Sequence, residues 1–236
     1  METDTKRGIH ERIDKYTFTA LFVSLVVYPV VYCSGIMGQI ITPIFTENSR
    51  AHWWYFWLAN LAFHWIPFAF IWLALRKNGE SWNSIGLDWG WFAKYKIWFG
   101  LLITILVMAA FVMPGVLYGG TLPVRSQTIF IAPVSSLERL FLIFGAFTAG
   151  LTEEVIFRGF AMTRLNRVVQ NLWIVLPITV VSFPFIHGTP RSVEALISYT
   201  LAGLAFGIPF IVMGLKRLEV LILIHFLIDV SMVFAP

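Results

Sequence analysis

The chain has 236 residues, of which 58% are hydrophobic and only 13% are charged, and its formal net charge is +4. A soluble domain carries about 25% charged residues, so this composition excludes an ordinary soluble domain. The mean hydropathy of +0.77 indicates an integral membrane protein with several spans. The 22 Phe and 10 Trp residues agree with this interpretation, because aromatic side chains favour bundle interiors and membrane interfaces.

Long apolar stretches recur along the whole chain and are separated by segments rich in Gly, Pro, Asn, Ser and charge. A membrane-spanning helix needs about 20 apolar residues, whereas a barrel strand needs an alternating segment of about ten. We therefore predict an all-α, polytopic transmembrane helical bundle with about seven spans. The predicted spans are 17–42, 53–75, 97–118, 137–158 (with a possible extension to 168), 172–188, 193–214 and 218–234.

The Lys and Arg residues are distributed unequally between alternate loops. If the amino terminus lies inside, twelve of them fall in inner segments and four in outer segments, with Arg158 inside the membrane. Cytoplasmic loops carry such an excess. We therefore predict that the protein lies in a cell membrane, with its amino terminus in the cytoplasm and its carboxyl terminus on the outer side. The net charge is then a topology signal, and no nucleic-acid partner is expected. The inner residues are Lys6, Arg7, Arg12, Lys15, Arg76, Lys77, Lys94, Lys96, Arg164, Arg167, Lys216 and Arg217, and the outer ones are Arg50, Arg125, Arg139 and Arg191.

The stretch "AGLTEEVIFRGF", residues 149–160, places two adjacent acids inside a predicted span. A charge in a spanning helix costs at least a few kcal/mol and normally faces a partner in the bundle interior. Glu154 and Arg158 are four residues apart, so they lie on one helix face and can pair. Glu153 is rotated by about 100° from Glu154 and has no local cation. The spacing therefore predicts a structural ion pair of Glu154 and Arg158 and makes Glu153 the candidate for chemistry.

Further ionisable groups occur in the late spans. "SFPFIHG" contains His187, and "LIHFLIDV" places His225 and Asp229 four residues apart on one face. Together with Glu153, these groups have the chemistry to activate water and stabilise an oxyanion, or to bind a divalent metal such as zinc. A proton relay in a transporter and simple interhelical hydrogen bonding are alternatives. His64, with Asn60 one turn earlier, is predicted to be an interhelical hydrogen bonder or a cavity-lining residue.

The three late motifs together resemble a known family. "EEVIFR" has the pattern Glu-Glu-x-x-x-Arg, "FPFIH" has Phe-x-x-x-His, and "HFLID" has His-x-x-x-Asn/Asp. In this order they resemble the CPBP family of intramembrane proteases, also called the Abi family or type II CAAX endopeptidases. The resemblance covers roughly residues 137–234. The first half is similar only in hydropathy and in the short element "SIGL" before the predicted third span.

The resemblance implies roles for the motif residues. Glu153 would be the base that activates water, with assistance from His187, while His225 and Asp229 would stabilise the oxyanion. Glu154 and Arg158 would hold the geometry of the site. Asp229 stands where the eukaryotic-type enzymes have Asn, and an ionised Asp cannot donate a hydrogen bond. Asp229 is therefore expected to be protonated, to orient His225, or to bind a metal together with His187, His225 and Glu153.

The resemblance also implies a domain organisation and a function. We expect a cytoplasmic segment at 1–16, three transmembrane helices within 17–136, and catalytic helices at 137–236. The implied function is an intramembrane endopeptidase acting near the carboxyl terminus of a prenylated (CAAX-type) or otherwise lipid-associated peptide. Maturation of peptides or bacteriocins, or self-immunity, is an alternative use of the same chemistry. An ion-coupled transporter is expected to show inverted repeats and paired broken helices, and the sequence shows neither.

Overall fold

The computed structural model describes residues 13–35, 50–88, 133–188 and 193–233. These residues form six main helices and contain no strand, which confirms the prediction of an all-α bundle. The six helices are α1 (Lys15–Cys33), α2 (Arg50–Lys77), α3 (Ser136–Val169), α4 (Leu172–His187), α5 (Val193–Val212) and α6 (Leu218–Val233).

Each of the six helices overlaps one predicted span. Three of them, α1, α2 and α3, together with the Ala195–Val212 part of α5, are long and apolar enough to cross a membrane, whereas α4 is a shorter apolar helix. The helix α3 continues to Val169, which agrees with the longer version of the fourth predicted span. The predicted span 97–118 lies outside the described residues, so the count of seven spans stays a prediction.

At one end of the bundle, a charged pair joins the first turns of α2 and α3. The Ser135 hydroxyl accepts the backbone N–H of Glu138, and the Glu138 carboxylate accepts the backbone N–H of Ser135, which forms a capping box at the start of α3. Arg50 approaches the same carboxylate with two nitrogens, at 3.0 Å from Oε1 and 2.5 Å from Oε2. Because Glu138 is 3% exposed, this bidentate pair anchors the two helix starts to each other.

At the opposite end, Glu80 connects the segment after α2 to the last turns of α3. Its carboxylate binds Arg164 and lies 2.9 Å from Arg167 Nη1. Burial opposes ionisation of Glu80, but hydrogen bonds from Arg167 and Ser84 and the two Arg charges lower its pKa. The carboxyl-terminal ends of α2 and α3, both predicted to lie on the cytoplasmic side, therefore meet in the structure, while the side of the membrane on which they lie stays a prediction.

The backbones of α3 and α6 lie close together at Gly150. A Cβ at this position would lie 3.0 Å from the backbone nitrogen of Phe226 and 3.1 Å from the carbonyl oxygen of Ile222. Only a glycine lets the two backbones come this near without displacement. The next turn of α3 carries the two acids, so this contact brings them beside His225.

The centre of α3 is not a regular α-helix. Residues Glu154–Met162 have π-helical hydrogen bonding, and all nine of them are buried. A second π-helical turn, Val23–Val27, lies in α1 directly before Tyr28. Such turns are rare and are often found at functional sites. The apolar pattern of the sequence predicts a helix in both places but carries no signal for this change of winding.

The close contact at Gly150 predicts different effects of alanine at two glycines of α3. Gly150→Ala should destabilise the protein by roughly 1–3 kcal/mol, because the added methyl group meets backbone atoms of α6 that cannot move easily. Gly145→Ala is the matched control, since nothing lies within 4 Å of a Cβ at that position; it should be neutral or stabilising by up to about 1 kcal/mol. Thermal unfolding in detergent measures both, and equal melting temperatures would contradict the packing described here.

Candidate active site

A cavity of about 270 Å³ lies between α2, α3, α4, α5 and α6. Most of its wall is apolar, with side chains such as Trp57, Phe141 and Phe206. Polar groups reach it from four different helices, which places residues far apart in sequence around one space. The polar residues that line it are Asn60, His64, His187, Tyr199, His225 and Asp229.

Glu154 is completely buried and is bound from two sides. Its Oε1 lies 3.1 Å from Arg158 Nη1 in the same helix and 2.9 Å from His225 Nδ1 in α6. Arg158 also donates from Nη2 to the carbonyl oxygen of Gly203 at 3.1 Å, and its guanidinium lies over the Phe183 ring at 4.5 Å. Glu154 thus joins α3 to α6, and Arg158 joins α3 to α5.

Glu153 has a different environment from its neighbour. It is 4% exposed, and it lies beside the cavity without lining it. Its Oε1 is 3.9 Å from His64 Nδ1, and its Oε2 is 3.8 Å from His225 Nε2. These distances are longer than a hydrogen bond, and Oε2 has no hydrogen-bond partner among the described residues. The carboxyl group is therefore held between two imidazoles with its oxygens still available.

His225 connects the acids of the site. Its Nδ1 faces Glu154, while its Nε2 lies 3.8 Å from Glu153 and 3.6 Å from Asp229 Oδ2. The ring stacks on Phe206 with the centroids 5.0 Å apart. An ionised carboxylate only accepts hydrogen bonds, so the contact with Glu154 assigns a proton to Nδ1. The second ring nitrogen then faces the other two acids.

His187 lines the same cavity but does not contact Glu153. Its Nδ1 lies 3.3 Å from the carbonyl oxygen of Phe183, and its ring stacks on Tyr199 with the centroids 4.2 Å apart. No carboxylate of the described residues forms an ion pair with its ring nitrogens. Any help that His187 gives to Glu153 would therefore have to pass through a molecule in the cavity.

The candidate metal ligands do not converge in this arrangement. Among the described residues, no group of three or more His, Cys, Asp or Glu side chains is placed to hold a metal ion. The set of His187, His225, Asp229 and Glu153 therefore does not fit a metal ion as these side chains are placed.

The first half of the chain contributes more to the site than its sequence indicates. His64 in α2 lies next to Glu153, and its Nδ1 is 2.7 Å from the Tyr28 hydroxyl of α1. The position of His64 one turn after Asn60 gave a signal for cavity lining but not for proximity to Glu153. Tyr28 and Tyr199 had no signal, because nothing in the sequence distinguishes them from other aromatic residues of a membrane protein.

The fold and the site define a helical membrane protein with a buried cluster of carboxyl and imidazole groups beside an apolar cavity. Residues 135–231 match the family model described as "Rce1-like: Type II CAAX prenyl endopeptidase Rce1-like". The match covers less than half of the chain but includes all three motifs, and it confirms the predicted CPBP/CAAX protease family over this segment. The protein is thus similar to CAAX-type intramembrane endopeptidases, which indicates a peptidase. No curated protein and no solved structure matches the chain.

The buried contacts of Glu154 predict a large effect of removing Arg158. Arg158→Ala should destabilise the protein by roughly 3–5 kcal/mol, because it leaves an uncompensated carboxylate in the bundle interior. Glu154→Gln should lower stability in the same direction by leaving the guanidinium without its acid. Arg139→Ala removes an exposed charge from the same helix and serves as the control, with little change expected. Thermal unfolding in detergent tests this, and a melting temperature of Arg158→Ala equal to that of the control would contradict the structural role.

Proposed function

We propose that the protein is an intramembrane endopeptidase in which Glu153 activates water. The observation that carries this proposal is the contrast between the two adjacent acids. Oε1 of Glu154 binds Arg158 and His225 directly, whereas the imidazole contacts of Glu153 are longer than a hydrogen bond; Oε2 of each acid has no hydrogen-bond partner among the described residues. A general base needs a carboxylate that can accept a proton from water, and Glu153, which is not held in a direct pair with an Arg as Glu154 is, meets this requirement better.

The reaction follows from this assignment. The water oxygen attacks the scissile carbonyl carbon while Glu153 takes one proton from the water, and the carbonyl π electrons move to the oxygen. The carbon–nitrogen bond then breaks, the carbonyl forms again, and Glu153 returns its proton to the leaving amine nitrogen. We place His187 at the water on the cavity side, where its imidazole assists by orienting the water.

The oxyanion requires a hydrogen-bond donor on the far side of the carbonyl. We assign this role to Nε2–H of a protonated His225, because Nδ1 is already engaged with Glu154. Asp229, with Oδ2 3.6 Å from the same Nε2, orients the ring and balances its charge. In a mostly apolar site, such a donor stabilises the developing charge more strongly than it would in solution. Asp229 therefore acts through His225 and needs no proton of its own.

The substrate class follows from the surroundings of the site. The cavity wall is mostly apolar and lies within a bundle of membrane-spanning helices. A peptide that is itself attached to the membrane presents its backbone at this depth, which favours a substrate cleaved near the carboxyl terminus of a prenylated or otherwise lipid-associated peptide. The same chemistry would serve the maturation of a bacteriocin-like peptide. We place the protein in the cell membrane with a cytoplasmic amino terminus.

The assignment of Glu153 predicts a selective loss of activity. Glu153→Gln should lower kcat for a lipidated peptide by roughly 10²–10⁴-fold, the range expected for loss of a general base. Its thermal stability should remain close to that of the wild type, since the amide has the same shape and the contacts of Glu153 with His64 and His225 are longer than a hydrogen bond. Peptide products identified by mass spectrometry provide the measurement. Cleavage by Glu153→Gln at the wild-type rate would rule out the base role.

The role of Asp229 is tested with Asp229→Asn and a chelator. Asp229→Asn keeps an oxygen facing Nε2–H of His225 and removes only the charge, so the variant should retain activity within about tenfold, a loss of about 1.4 kcal/mol of transition-state stabilisation. Chelator treatment should leave both proteins active. If Asp229→Asn instead loses activity together with a metal bound by the purified wild type, the orienting role is wrong and the residue is a metal ligand.

A further inference from the structure

An imidazole from outside the matched segment lies next to the proposed base. The Nδ1 atom of His64, in α2, is surrounded by three oxygen atoms. The Tyr28 hydroxyl is 2.7 Å away, the Thr152 hydroxyl 3.3 Å, and Glu153 Oε1 3.9 Å. Two of these oxygens belong to consecutive residues of α3, so one ring nitrogen connects α1, α2 and the catalytic turn.

The hydrogen bonds around His64 fix the position of its ring. Thr152 donates its hydroxyl proton to the carbonyl oxygen of Thr148 at 2.8 Å, so it presents a lone pair to Nδ1. Tyr28 makes the shortest contact with this nitrogen, and both residues are buried, with exposures of 3% for Tyr28 and 7% for His64. The Tyr28 hydroxyl can donate to Nδ1 or accept from it. In either case, the contacts with Tyr28 and Thr152 fix the position of the His64 ring.

Aromatic packing holds the same pair from the side. The ring of Tyr28 meets His64 at 67° with the centroids 5.9 Å apart, and Tyr32 lies 6.2 Å from His64. The hydroxyl of Tyr32 makes no hydrogen bond to His64: it donates to the carbonyl oxygen of Asn60 at 3.4 Å and also interacts with the Tyr28 hydroxyl. His64 is thus enclosed by two aromatic rings, of which only Tyr28 makes a hydrogen bond to the imidazole.

We propose that Tyr28 and His64 form a positioning pair for Glu153. The pair confines the Glu153 carboxyl group from the α2 side, while His225 confines it from the α6 side. This inference rests on the proposed role of Glu153 and adds two residues from the half of the chain that the family match does not cover. Neither imidazole makes a direct hydrogen bond to Glu153, so the carboxyl oxygens keep their capacity to accept a proton.

The proposal predicts an effect on the chemical step and not on substrate binding. Loss of an outer residue that orients a functional group typically costs roughly 10–100-fold in activity. We expect kcat of His64→Leu to fall by roughly 10–100-fold, with KM changed by less than about twofold, because the interaction lost is one that acts in the transition state. Tyr28→Phe, which removes only the hydroxyl, should lower kcat in the same direction.

Two amide substitutions separate the ring nitrogens. His64→Asn places an amide near the position of Nδ1, whereas His64→Gln places one near Nε2, which has no hydrogen-bond partner among the described residues. Because the proposal acts through Nδ1, the Asn variant should retain more activity than the Gln variant. A Gln variant that is more active than the Asn variant, or a raised KM at constant kcat, would overturn the positioning role and indicate contact of Nε2 with the substrate.

A double-mutant cycle distinguishes a coupled effect of Tyr28 and His64 on kcat from a general loss of stability. Tyr28→Phe should lower kcat in the wild-type background and have no further effect in the His64→Leu background, because the two residues act as one unit. Tyr16→Phe is the control, since it removes a tyrosine hydroxyl from the same helix, α1, twelve residues before Tyr28; its kcat should not change. Additive effects of Tyr28→Phe and His64→Leu would contradict the proposal. Thermal unfolding of each variant shows that the protein compared is folded.

The outcomes also separate this proposal from the proposed function. If the wild type cleaves, Glu153→Gln is inactive, and folded Tyr28→Phe and His64→Leu retain full kcat, then the positioning role fails and the function stands. If Glu153→Gln cleaves at the wild-type rate, the base role of Glu153 fails, and the positioning pair fails with it. Reduced kcat in both variants, with the coupling described above, supports both assignments.

Discussion

The free-energy cost of burying carboxyl groups among membrane helices is the constraint that organises this structure. Glu153 and Glu154 are each less than 5% exposed in α3. A charge at such a position is tolerated only with partners in the bundle interior. Arg158 and His225 provide them for Glu154, from the same helix and from α6. The guanidinium of Arg158 in turn donates to the carbonyl oxygen of Gly203 in α5, so compensation of the buried charge involves three helices.

Because the buried acids need these partners, the packing of the bundle also sets the geometry of the site. The imidazole of His225 reaches the acids only because Gly150 lets α3 and α6 approach at the preceding turn. The π-helical segment begins at Glu154, and its different winding changes the direction of every side chain that follows in α3. An increase in the α3–α6 distance would lengthen the contact of Glu154 with His225 and leave a buried acid less compensated. Stability and geometry therefore rest on the same few contacts.

How far the sequence could predict this arrangement depends on the range of each interaction. Apolar length located six helices, and helical spacing paired Glu154 with Arg158, because both signals are local. The occurrence of ionisable groups in apolar spans pointed to His187, His225 and Asp229, and the family resemblance implied their roles. The proximity of His64 to Glu153 could not be predicted, because 89 positions separate the two residues and only the packing of α2 on α3 joins them. The π-helical winding of Glu154–Met162 could not be predicted either, because the apolar pattern of this segment is that of any buried helix.

The adjacent acids thus show how one pair of identical residues takes two environments. Glu154 has direct contacts of 3.1 Å and 2.9 Å with its partners, and Glu153 has contacts of 3.9 Å and 3.8 Å. Direct contacts fix a charge but occupy the oxygen that makes them, whereas the longer contacts of Glu153 to two imidazoles leave its oxygens without a hydrogen bond from either ring. His225 takes part in both arrangements, through Nδ1 for one acid and Nε2 for the other. A change in the charge of the His225 ring would therefore affect both acids, which couples the stability of the bundle to the protonation state of the proposed base.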